Sequence, residues 1–360
     1  MQLRCPINQF ALLLLLLCAA LTVVPYAQAA SCKTQSQMTQ AERDALSNAA
    51  RAMATQVQMG DVQGLKTNTI PQVAADFAGI ASSVDGLKSL VQKATITVYS
   101  LYSLDAATEA AGSPRTDFYC GTPVVVLNFT DLPPGTYALA ILHATGVPQP
   151  QQISLILSKG ADNRWMLAGF FSKPMLQAGH DGLWYWSSAR KYAQSNANWS
   201  AWFYYRTAAN LLNPVEFLSS SNLDKLHTEQ DKVKPDNLPG GGTKQLTLDA
   251  HGSTYQVTTV DITSELGALD VDVHYLPNAA QAAQLRDPPS ARKQVMDVMT
   301  ALLALHPDLH QAFHGIWVHA DQGDASIFSL ELPMDQITPT QPTAMNATPP
   351  KSINTTPVSQ

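Results

Sequence analysis

An α+β protein built of several modules is the expectation, and three observations carry it. Helical spacing over residues 39–92 gives way to a run of strand-like segments over 95–171. An aromatic-rich helical stretch follows at 181–232. A second mixture of strands with one long amphipathic helix lies beyond a Pro/Gly-rich break at 235–243.

Before the first helix stands an export leader. Arg4 is followed by an apolar run over 10–24 with six consecutive leucines, then Pro25 and Ala27-Gln28-Ala29. That is the n-region, h-region and A-x-A order of a signal peptide, assigned to residues 1–29. The apolar run is shorter than the roughly 20 residues that span a bilayer, and no later segment reaches that length. Charged residues are only 14% of the 360, below the roughly 25% of average proteins. The net charge of −6 becomes −7 once Arg4, the one charged residue of 1–29, is removed. With no Lys/Arg cluster, nucleic acid is excluded as a partner. Cys5 and Cys18 leave with the leader, and Cys32 and Cys120 remain. In an oxidising compartment they predict one disulfide. The competing reading is lipid attachment at Cys32, because Ala29-Ala30-Ser31-Cys32 has the outline of a lipobox, without its usual Leu.

Thr39 and Glu42 form a capping box, and Leu46, Ala49, Ala50, Met53 and Val57 recur at helical spacing up to Gly60. A second helical stretch opens at Ile70-Pro71, and a third covers 84–92. Segments 95–104, 124–129, 137–144, 153–158 and 165–171 read as strands, separated in part by Pro133-Pro134-Gly135 and Gly160-Ala161-Asp162-Asn163. This order of elements, the Gly60-Asp61 break and the closing Trp165-Met166-Leu167-Ala168-Gly169 resemble the NTF2-like (cystatin-like cone) superfamily over 36–173. The resemblance implies a curved antiparallel sheet around a cone-shaped cavity. Members bind ligands, do acid-base chemistry or mediate assembly, so the fold alone selects none of these.

Within 174–234, Tyr185, Ala189, Tyr192, Ala201, Tyr205 and Ala208 stand at the signature positions of a tetratricopeptide hairpin, with Pro214 closing it and 222–233 as a capping helix. The region resembles a single such repeat. One repeat leaves an apolar face uncovered, and the short connection from the preceding domain predicts that the hairpin docks there. Residues 235–243 read as a linker, 244–337 as a small α+β domain, and the Thr/Pro-rich 338–360 as a disordered tail.

Candidate chemistry is sparse. Asp105, Asp117 and His143 are the titratable groups offered to a cone cavity, His as general base and Asp as its orienter. Trp184, Trp186, Trp199 and Trp202 are more aromatics than a short hairpin can turn inward, which makes them partner-binding candidates. His306, His310, His314 and His319 are interrupted by Pro307 and read as surface histidines. Asp270, Asp272 and His274 share one strand face and read as its wet side. No metal and no cofactor is expected, and no nucleophile or phosphate-loop motif is present. The sequons at Asn128, Asn198, Asn346 and Asn354 are read as chance beside a bacterial-looking leader. These features predict an exported, periplasmic or extracellular, non-enzymatic binding or assembly protein of the bacterial envelope. An envelope protein partner or self-association would use the hairpin. The alternative is a small-ligand binder or acid-base enzyme using the cone.

Overall fold

The computed structural model describes residues 30–240 and 244–337. The leader 1–29, the glycines at 241 and 242, and the tail with Asn346 and Asn354 lie outside the described residues. The fold is α+β, as the sequence predicts. Contacts divide the chain into two units: the chain up to Pro174 with Asn213–Ser221, and Met175–Leu212 with the chain from Asn222 on. No helix among the described residues is long and apolar enough to cross a membrane.

In the first unit a short strand β1 (Ser31–Thr34) precedes the helices α1 (Gln40–Met59), α2 (Val62–Thr67), α3 (Pro71–Ala75) and α4 (Ala78–Val91). The capping box at α1 is present. Thr39 Oγ1 accepts from the Glu42 N–H at 3.2 Å, and Glu42 Oε2 accepts from the Thr39 N–H at 2.7 Å. Gly60 ends α1 at φ 69°, where a Cβ would strike the Lys88 side chain. The strands β2 (Thr95–Asp105), β3 (Thr116–Cys120), β4 (Val125–Phe129), β5 (Thr136–Thr145), β6 (Gln151–Lys159) and β7 (Trp165–Pro174) follow. An antiparallel sheet runs β1-β2-β5-β6-β7, with register shifts at Val98/Ser100 and Ile156/Leu157. Such bulges bend a sheet. Ala138, Ala140 and Leu142 of β5, with Leu155 and Leu157 of β6, face Leu46, Ala50, Met53 and Val57 of α1 in one core. The alternate residues Leu139 and Ile141 are buried as well, so β5 is covered on both faces. A smaller sheet joins β3, β4 and the returning strand at Leu218–Ser220. Cys32 of β1 and Cys120 of β3 form a disulfide (S–S 2.02 Å) across 88 residues, tying the two sheets together.

The second unit opens with β8 (Leu176–Gln177) and β9 (His180–Asp181), then the helical hairpin α5 (Gly182–Gln194) and α6 (Asn198–Leu212). The chain next lays β10, the returning strand Leu218–Ser220, on β4 and continues into α7 (Ser221–Asp231). The C-terminal elements are β11 (Leu246–Ala250), β12 (Ser253–Thr263), β13 (Asp270–Leu276), α8 (Ala279–Gln284), α9 (Pro288–Leu305), α10 (Leu309–Ala312), β14 (Gly315–Gln322) and β15 (Ala325–Pro333). Their sheet runs β11 to β15 in sequence order. Every pairing is antiparallel except β13 with β14, which is parallel and connected through α8–α10. Val271, Val273, Tyr275, Ile316, Val318 and Ala320 turn one face onto Val295, Val298 and Leu302 of α9.

The short connection predicts a hairpin docked on the preceding domain, and the packing corrects this: the hairpin belongs to the core of the C-terminal sheet. Tyr185, Ala189, Phe203, Tyr204 and Ala208 are buried in the same cluster as the C-terminal sheet. Trp199 stacks on His306 with centroids 3.9 Å apart, the Tyr204 hydroxyl donates to the Ala312 carbonyl at 2.6 Å, and the Ser200 hydroxyl donates to Asp308 at 2.8 Å. Loop entropy changes by only about 0.6 kcal/mol per doubling of length. An aromatic face that meets Phe313, His306 and Leu309 outweighs it. The predicted linker follows the same core: Pro235 and Pro239 are buried, and Leu238 packs on the cluster.

Two expectations follow. Cys120→Ser should destabilise the first unit by roughly 4–5 kcal/mol in the chain-entropy model, and intact mass should change on reduction by the hydrogens of one cystine. A diacylglycerol adduct on Cys32 would instead mark lipidation. Phe203→Ala should cost roughly 3–5 kcal/mol, read by hydrogen exchange as lost protection in β12–β14. Protection lost in β5 and β6 instead would return the hairpin to the first unit.

Candidate functional site

The acid-base candidates of the first unit do not converge. Asp105 ends β2, where its Oδ1 accepts from the Ala107 N–H at 3.0 Å. It pairs with Thr136, whereas His143 pairs with Thr97. Seven residues of β5 separate those positions, roughly 23 Å of strand. Asp117 lies in the smaller sheet, where Arg115 Nε (2.8 Å) and Asn128 Nδ2 (2.7 Å) donate to its Oδ1. The Arg115 hydrogen bond holds its carboxyl below the usual range. His143 stacks on the exposed Tyr99 ring at 4.2 Å, and burial pushes its pKa down. A cavity beside β1 and β2 is lined by Thr34, Gln35, Ser36, Arg43, Ser100, Leu101 and Tyr102, and holds none of the three.

The four tryptophans divide. Trp199 is buried, with Nε1 donating to Asn237 at 3.1 Å. Trp186 is half-buried, donates to Glu229 at 2.8 Å and lies under the Arg190 guanidinium at 4.5 Å. Trp202 lies under Lys234, and its Nε1 is buried without an acceptor. Trp184 is 40% exposed beside Leu183 at 62%, and stacks on His180 at 3.6 Å.

One group of polar side chains that meet lies on the C-terminal sheet. Strand alternation puts Asp270, Asp272 and His274 of β13 opposite the core face. The parallel register sets His274 beside His319 and Asp272 beside Trp317 of β14. The two imidazoles stack at 4.6 Å with 12° between planes. Asp321 Oδ2 accepts from His274 Nδ1 at 2.8 Å, and Ser329 Oγ of β15 lies 2.8 Å from His319 Nδ1. Both Nε2 atoms approach Asp272 Oδ1, at 3.6 Å from His274 and 3.2 Å from His319. That oxygen is buried and accepts no hydrogen bond. The three side chains are 15–30% exposed, within reach of small solutes.

One step along the same face, Asp270 is fully buried, and His314 Nδ1 donates to its Oδ1 at 3.0 Å. Glu331 Oε1 lies 4.0 Å from His314 Nδ1. Burial and the neighbouring Asp270 charge push the Glu331 pKa up. Asp270 Oδ2 and Glu331 Oε1 are buried without partners. Gly315 makes room, since a Cβ there would lie 2.5 Å from Glu331 Oε1 and 2.7 Å from the Leu332 carbonyl oxygen. Beyond Asp272 on β12, Asp261 pairs with Arg206 of α6 and borders a polar cavity with Gln177, Thr207, Asn210 and Ile262.

Sequence reasoning placed Asp270, Asp272 and His274 on one face and missed their union with His319. The available signal was the mirrored pair Asp272-Val273-His274 and His319-Ala320-Asp321. Compared with protein-family models, curated proteins and solved structures, the chain matches none of them.

The His143 environment gives a test. Its folded pKa lies below its ordinary value of 6.5, so its neutral ring stabilises the first unit fully above pH 6.5. That contribution fades as pH falls through 6.5 towards the folded pKa. NMR should place its titration below 6.5 and leave it unmoved by Asp105→Asn or Asp117→Asn. A shift caused by either change would restore the acid-base pair.

Proposed function

We propose that this is an exported, non-enzymatic binding protein of the bacterial cell envelope, with its ligand-binding face on the polar side of the C-terminal sheet. One observation carries the reading: Asp272, His274 and His319 bring three donor atoms within 4.8 Å of one another on a partly open face. The leader sequence and the Cys32–Cys120 disulfide support export to a periplasmic or extracellular location. The first unit fits an NTF2-like domain, in that helices precede a bent antiparallel sheet, and serves as scaffold. The α5–α6 pair fits a single tetratricopeptide-like hairpin whose uncovered face is occupied within its own unit. Leu183 and Trp184 remain as the surface for an envelope protein partner.

A second reading has its own observation. Ser329, His319 and Asp272 follow one another in the order of a nucleophile, base and orienter. Ser329 is exposed on the end strand of the sheet, though, and an oxyanion needs pre-aimed donors in a water-excluded site. A serine-reactive fluorophosphonate that labels the wild type and spares Ser329→Ala would establish the hydrolase.

The binding reading is tested by thermal shift of the mature, disulfide-bonded chain with divalent cations, inorganic phosphate and small carboxylates. At least one should raise the melting temperature in a manner abolished by His274→Ala and His319→Ala and kept by His143→Gln. The reverse pattern would move the site to the first unit and revive the cone.

A further inference from the structure

We propose that Asp272, His274 and His319 bind one first-row divalent transition-metal ion, Zn2+ being the reference case, through Asp272 Oδ1 and the two Nε2 atoms. The inference rests on the reading that this face is the binding face, and names its ligand class.

The argument starts from where the protons are. Asp321 is a carboxylate and only accepts, so the His274 proton sits on Nδ1. The Nε2 of a neutral His274 ring then carries a lone pair, 3.6 Å from Asp272 Oδ1, which accepts no hydrogen bond. On His319, Nδ1 is likewise engaged, by Ser329, and Nε2 comes to the same oxygen. An electron-rich focus of this kind calls for a cation. The outer partners have the form seen at metal centres, where the ring nitrogen remote from the ion is held by a carboxylate or hydroxyl that fixes tautomer and orientation.

Two of the three donor separations can be set against a tetrahedral ion, and the third lies within 4.8 Å. Ligands about 2.0–2.1 Å from a tetrahedral ion lie about 3.3 Å apart. The Nε2 atoms stand 3.2 and 3.6 Å from Asp272 Oδ1. Two imidazoles with one carboxylate favour ions that take nitrogen, such as Zn2+, over Ca2+ or Mg2+, which prefer oxygen. Three protein ligands leave the fourth position of a tetrahedral ion for a non-protein ligand. The neighbouring Asp270, Glu331 and His314 set is richer in oxygen and more deeply buried, and is the competing location for an ion.

The experiment uses the mature disulfide-bonded chain, stripped with EDTA and dialysed. Calorimetric titration with Zn2+ and visible absorption with Co2+ are the readouts. One ion per chain is expected, with the intense d–d bands of low-coordinate Co2+. His274→Ala, His319→Gln and Asp272→Asn should each abolish the bands, and circular dichroism should show each variant folded. Asp321→Asn, which removes only the outer partner, should weaken Zn2+ binding by about 10–100-fold. His143→Gln should bind as wild type. Bands lost in Asp270→Asn yet kept in His274→Ala would overturn the assignment by placing the ion at the other cluster. If neither metal binds while phosphate still stabilises the chain through His274 and His319, the metal inference falls and the binding face stands. If the histidine variants match wild type with every solute, both fall.

Discussion

The parallel pairing of β13 with β14 is the constraint on which the second unit depends. Parallel neighbours cannot be joined by a tight turn, so the chain must cross over, and here it does so through α8, α9 and α10. The crossover covers the apolar face of the sheet with α9. It also presents His306, Leu309 and Phe313, the surface that α6 meets with Trp199, Phe203 and Tyr204. On the opposite face the same register sets His274 level with His319. Core, docked hairpin and candidate site are three consequences of one ladder.

What the sequence discloses divides along the distance between interacting residues. The Thr39–Glu42 box, the Gly60 stop and the alternation along β13 involve neighbours a few positions apart, and the structure contains them. The Cys32–Cys120 bond is long-range, yet two remaining cysteines allow only one intramolecular pairing, and the structure contains it. The docking of α5–α6 was not legible, because an aromatic face shows only that it must be covered. Its complement, centred on Phe313, lies about a hundred residues later in the chain. The site was half legible for the same reason. Period-two alternation gathers Asp270, Asp272 and His274, but a sequence does not state that a strand forty-five residues on pairs parallel and in step.

In the first unit the three acid-base candidates are kept apart. Here β5 is buried on both faces, with Ala138, Ala140 and Leu142 towards the helices and Leu139 and Ile141 on the other side. The titratable groups lie at strand ends and edges, already engaged by Arg115, Asn128, the Ala107 N–H or the Tyr99 ring. Among the described residues, the groups whose donor atoms lie within 4.8 Å of one another are on the C-terminal sheet.

The energetics of buried polar atoms point to the same strip. Leaving such an atom unpaired costs about 1–3 kcal/mol, and more for a charged group. Among the described residues five side-chain atoms are in that condition, and three are the carboxylate oxygens Asp270 Oδ2, Asp272 Oδ1 and Glu331 Oε1. A purely structural sheet face could carry Thr or Ser at these positions without that cost. Like charges held this close repel, and the raised Glu331 pKa reports that burial and the Asp270 charge both oppose ionisation. Protons can relieve the Asp270–Glu331 pair, since a raised carboxyl pKa favours the neutral acid there. Asp272 stands in a different position. Its companions are two imidazoles whose outer nitrogens are held by Asp321 and Ser329, so their inner nitrogens face the same oxygen together. A proton satisfies one such contact at a time. A divalent ion satisfies the carboxylate and both rings at once, and for that reason this cluster, not its more deeply buried neighbour, is where the fold is prepared for a metal.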